Sequence, residues 1–310
     1  MSVRRVFAGA VMAASVAAGG ATVARAQAQV PAGPPAAGQP AVVTLLSAGS
    51  EPRRPLRYVV AAPSKMPIDI SMQMTMAMTV GEMSAPAMEM PVIRMGADFD
   101  VVSAVPGGDI AFTFGYTGIA VDGNNPMFAE IGGMSDELKT VRGEMTMSDR
   151  GVMRTVKFDL DKISNPQIKQ MMASSGLENL SAPLPAEAVG IGARWEVRQT
   201  LIANGIETHQ KTIYELVGLD AQSATMAVSG ETSGPAQKFD APGMPPGASA
   251  RILGMTGKSD GKMVLRNGAL MPLGDMNVTT NMQMELTLEG QSQQMSTSTS
   301  IKIGVTAARR

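Results

Sequence analysis

The side chains that could do chemistry are 27 methionine thioethers, 27 carboxylates and a single imidazole, in a chain of 310 residues without cysteine. The lack of cysteine removes disulfides, thiolate metal sites, a cysteine nucleophile and a lipid-modified cysteine anchor. One histidine, His209, is too few for the usual zinc sets, and in "IETHQKTIY" it has no base or nucleophile close by in sequence. The carboxylates are scattered, and "GNN" at 123–125 lacks the context of a phosphate loop. These observations predict no enzyme and no cofactor.

The methionines are the unusual chemistry. In "MPIDISMQMTMAMTV", residues 66–80, Met66, Ile68, Ile70, Met72, Met74, Met76, Met78 and Val80 occupy every even position. Aromatics make up only 4% of the chain, so methionine supplies much of the apolar volume, through a flexible and polarisable side chain. Three uses compete. The methionines fill the inner face of a sheet, leaving a non-catalytic structural or interaction module, which is the leading expectation. Alternatively, Met66, Ile70, Met72, Met74, Met76, Met78, Met282 and Met284 line a soft groove for an acyl chain, a hydrophobic peptide or a lipoprotein. The third use is Cu(I) binding, because thioethers are soft ligands and methionines two apart on a strand lie ~6.6 Å from each other. Met72/Met74/Met76, Met88/Met90 and Met282/Met284 have that spacing.

The elements that position these residues follow a period of two. Alternation over 66–80 predicts one long strand, about 50 Å at ~3.3 Å per residue, which must curve or carry a bulge. Ile93–Val101 and Ile110–Tyr116 flank the turn "PGGD", and "SDRG" at 148–151 leads into Val152, Val156, Phe158 and Leu160. Trp195, Val197 and Leu201 precede an Asn204-Gly205 hairpin turn, and a second long strand carries Met276, Val278, Met282, Met284, Leu286 and Leu288. Residues 126–141 and 165–180 break the period and predict short amphipathic helices, through Met127, Ile131, Met134 and Leu138, then Ile168, Met171, Met172 and Leu180. The predicted fold is mainly β: a long, curved antiparallel sheet, half-barrel or clam-like, with the two helices over its mouth or concave face. A sandwich and a closed barrel are the alternatives.

Arg4 and Arg5, the uncharged run 6–23 and the small residues of "ARAQAQ" form an export signal, expected at 1–26, and "RRVF" also fits a twin-arginine signal. Removing it takes away three arginines and no acid, moving the formal net charge from −1 to −4. Neither value predicts a nucleic-acid partner. No window after the signal is apolar enough to anchor the mature chain, which is expected in the periplasm or secreted. Residues 27–54 read as a Pro/Gly/Ala-rich spacer, with order starting near 41–48 and firmer from 50. A single β-rich domain, 55–306, follows in two halves, about 55–164 and 184–306, joined by a short helix.

"SEPRRPLRY" at 50–58 together with "LPAEAVGIGARWEV" at 184–197 resembles an uncharacterised family of exported bacterial proteins, which pair an early Glu-Pro-Arg stretch with a later Val-Gly-x-Gly-x-x-Trp element. The resemblance implies an exported, β-rich protein. It transfers no function to Arg53, Arg57, Gly192 or Trp195.

Overall fold

The computed structural model describes residues 39–123, 133, 135–161, 163–165, 168–169, 172, 181–203, 205–239, 249–288 and 291–308. The export signal and residues 27–38 of the expected spacer lie outside the described residues.

The alternating sequence folds almost wholly into strands. In chain order these are β1 (Val42–Ser47), β2 (Arg54–Pro55), β3 (Ser64–Val80), β4 (Met83–Ser84), β5 (Met88–Glu89), β6 (Ile93–Ala104) and β7 (Asp109–Val121). The helix α1 (Ser135–Leu138) precedes β8 (Arg142–Ser148), β9 (Met153–Asp159), β10 (Ala188–Val189), β11 (Arg194–Ala203) and β12 (Ile206–Leu219). The chain ends with β13 (Ser223–Gly234), β14 (Gln237–Phe239), β15 (Ser249–Arg266), β16 (Leu273–Leu288) and β17 (Gln291–Ala307).

One antiparallel sheet takes up the long strands in the order β1-β11-β12-β13-β15-β16-β17-β3-β6-β7-β8-β9, and it does not close into a barrel. β4 and β5 pair with β3, β14 pairs with β15, and β2 with β10 form a separate two-stranded ribbon. Most neighbours in the sheet are also neighbours in sequence. The exceptions are β1 on β11 and β17 on β3, which bring distant parts of the chain together. The two long methionine strands, β3 and β16, lie on either side of β17.

The core occupies one end of these strands. Phe99, Phe112, Phe114 and Tyr116 stack along β6 and β7 at centroid distances of 6.0, 5.2 and 4.7 Å. Across the sheet, Trp195 lies parallel to Tyr214 at 5.5 Å and donates its indole N–H to Pro183 O at 2.9 Å. Ile68 of β3 joins this core, fixing the even positions of that strand as the inner face. Past Ile70 the same face leaves the main core, and Met74 and Met76 are only half-buried.

β1 lies in the stretch 41–48, where order is expected to start, and its Val43 and Leu45 alternate onto the core beside Val197 and Trp195. Of the first predicted helix, Gly133 and α1 are helical among the described residues, α1 ending at the buried Leu138, while Met127, Ile131 and Met134 lie outside the described residues. For the second, Ile168 and Met172 are helical and fully buried in the core, and Met171 and Leu180 lie outside the described residues.

Candidate functional site

The sequence places apolar side chains at both ends of the sheet, and there they line one cleft. β9 is the last strand of the sheet and contributes Met153 to Val156. At the other end, β1 reaches only as far as Arg198 of β11, and the following Gln199, Leu201 and Ile202 border the same space. The cleft has a volume of about 680 Å3, and its floor is Val197 and Tyr214. Gln39, Pro40 and Ala41, just before β1, form a further part of the wall.

A strap holds the third wall. The backbone of 181–193 crosses that of 48–58: Ser50 N–H donates to Ile191 O and Gly190 N–H to Ala48 O, both at 2.9 Å. Arg57 donates to Pro185 O at 3.2 Å and Ala186 O at 2.9 Å while pairing with Asp149 at 3.2 Å. The Tyr58 hydroxyl accepts from Ala182 N–H at 2.8 Å and donates to Ala182 O at 3.1 Å. The two segments that carry the family resemblance, 50–58 and 184–197, are therefore packed on each other. Gly151 closes the corner with φ of +74°. A Cβ there would lie 2.5 Å from the Tyr58 ring and 2.9 Å from Ala182 O, so only glycine lets the chain turn from β8 into β9 against the strap.

The cleft is mixed, with polar and hydrocarbon groups in nearly equal share. Val152, Val156, Val197, Leu201 and Pro183 supply hydrocarbon, and Thr212 and Gln199 supply hydrogen-bonding groups, Gln199 already donating to Gln210 Oε1 at 2.9 Å. Arg154 is the one charged side chain among the described lining residues, and it lies 3.8 Å from Asp109, loosely paired and half-exposed. Burial pushes the Tyr214 hydroxyl up to about 12, which keeps the floor neutral.

The methionine face lies elsewhere. Met66 packs on the core and accepts the Leu270 N–H on its sulfur at 3.3 Å, and Ile70 and Met276 also pack there. Met72, Met74 and Met76 are half-buried, and Met78 is 38% exposed. Met282 is half-buried and Met284 is buried beside Ile252. None of these residues lines the cleft. The alternation of 152–160 and 195–201 was readable in the sequence. That the two runs face each other depends on the curl of twelve strands, for which no local signal exists.

The structure also brings partners to His209. Its Nδ1 lies 3.1 Å from Thr200 Oγ1 and its Nε2 3.5 Å from Glu207 Oε1. Hairpin register alone produces this trio, since Thr200 is directly opposite His209 and Glu207 is two residues before it on the same face. Thr200 is 5% exposed. Among the described residues no group of three or more His, Asp or Glu side chains could hold a metal ion.

No known protein-family model matches the chain. No curated protein matches it in sequence.

Proposed function

We propose that this chain is an exported, non-catalytic carrier that holds an elongated apolar ligand, such as an acyl chain, in the cleft between the two ends of its sheet. The cleft itself is the observation that carries the reading. Its volume of about 680 Å3 falls within the roughly 300–1,000 Å3 typical of small-molecule sites, and Val152, Val156, Pro183, Val197 and Leu201 give it a hydrocarbon strip among its polar groups. Because no strand ladder joins β9 to β1 or β11 among the described residues, the seam can widen without breaking one. Arg154 at the rim suits an anionic headgroup. Export rests on the N-terminal Arg-Arg pair, the uncharged run and the small-residue cleavage region.

Two measurements test this. Protein purified from an exporting host should yield lipid on solvent extraction, and delipidated protein should bind a fluorescent fatty acid. Leu201→Trp, which places a bulky ring in the cleft, should weaken that binding at least about tenfold. Protein with no extractable lipid and no binding, or a Leu201→Trp variant that binds as the parent does, would overturn the proposal.

A further inference from the structure

We propose that Met255, Met282, Met284 and Met295 form a thioether site for Cu(I). Strand register assembles them. Met255 on β15 is directly opposite Met282 on β16, and Met284, two residues further along β16, is directly opposite Met295 on β17. Side chains of directly opposed residues share a face of the sheet. The four therefore stand together on the inner face as two adjacent cross-strand pairs.

The spacing suits a soft cation. Directly opposed residues have Cβ atoms about 4.5–5.5 Å apart and diagonal neighbours about 7–8 Å, within reach of long side chains. Met282 and Met284 with either Met255 or Met295 can thus bring three sulfurs onto one ion. No carboxylate of β16 shares this face, because Asn281, Gln283 and Glu285 alternate to the other side of the strand. Thioethers without carboxylates or imidazoles select Cu(I) over divalent cations.

The inner-face neighbours are of two kinds: Gly257 on β15, Thr280 on β16 and Thr297 on β17 lie toward the core, while Ile252 opposite Met284 and Val80 opposite Met295 flank the group with hydrocarbon. Met255, Met282 and Met295 remain half-buried, so the cluster borders solvent, while Met284 is 8% exposed and anchors the group. The site is separate from the seam cleft and does not depend on its occupant.

The test is an anaerobic competition for Cu(I) between the full mature chain and a colorimetric chelator. The parent should withdraw about one equivalent from the chelator, and the volume-conserving double variant Met282→Leu/Met284→Leu should lose roughly a hundredfold in affinity. The matching double variant Met72→Leu/Met74→Leu on β3 should bind as the parent does. No withdrawal by the parent, or equal loss in both double variants, would overturn the site. A measurement on the parent alone keeps the test independent of folding: with methyl-labelled methionine and Ag(I) as a redox-inert probe, the four named methyl signals should shift first. Shifts centred on Met72 to Met78 instead would refute the assignment.

Discussion

The three tyrosines of the chain are all in the core, and each is shifted in the same direction by the same cause. Burial pushes Tyr116 and Tyr214 up to about 12. Burial pushes Tyr58 higher still, against the opposing effect of the Ala182 amide that donates to its oxygen. A folded-state value above the unfolded value of about 10 stabilises the fold fully below pH 10 and loses that contribution as pH rises through the folded value. The unfolded chain ionises first, so stability should fall between about pH 10 and 12, by on the order of 2–3 kcal/mol for each of Tyr116 and Tyr214. Spectrophotometric titration should show no tyrosinate step near pH 10 in the folded protein, then all three signals appearing together as it unfolds. A separate, reversible step near pH 10 with the fold intact would contradict this account.

Individual strands were legible because alternation reports which side of a strand is buried. Met66 to Val80 announced β3, and the glycine of "PGGD" marked the β6–β7 turn, where Gly107 has φ of +70°. Pairing partners were not legible, since alternation specifies a face and not a neighbour. β1 is the clearest case: a short run after a Pro-rich stretch, it becomes a strand only because β11 offers an edge. Its Leu45 is opposite Trp195 and its Val43 opposite Val197, so β1 shields the single tryptophan of the chain. A chain beginning after residue 48 should lose roughly 2–3 kcal/mol of burial from these two half-buried side chains and show red-shifted tryptophan emission. Unchanged emission and an unchanged Tm would show that β1 contributes nothing to the core. The candidate sites follow the same rule. Met282 and Met284 were visible as a pair, whereas Met255 and Met295 joined them only through cross-strand register, and the seam was invisible until both ends of the sheet were in place.

At the scale of the molecule, β17 joins the two halves of the sheet. On one side lie β1, β11 to β13, β15 and β16, on the other β3 and β6 to β9, and of the strands in that order only β17 pairs with both, while the strap ties the halves together off the sheet through Leu184 N–H to Arg150 O and Gly192 N–H to Leu216 O. Its pairing with β3 joins residues more than two hundred positions apart, Met295 opposite Val80 and Ala307 opposite Ile68. Such a contact closes a very long loop and should form late in folding. Along the sheet β9 connects to β11 only through β17, so the curl that creates the seam cleft runs through it as well. Ile301 stands mid-strand, opposite Val278 on one side and Met74 on the other. Proline there removes a ladder donor from a central strand, where proline is essentially never tolerated. Ile301→Pro should therefore uncouple the halves: calorimetry should resolve two transitions in place of one, proteolysis should release a fragment holding β11 to β16, and fatty-acid binding should vanish. Thr306→Pro, next to the end of β17, should change each of these readouts far less. A single transition at the parental temperature in Ile301→Pro would mean that the halves are held together by the strap and by packing across the inner face rather than by β17.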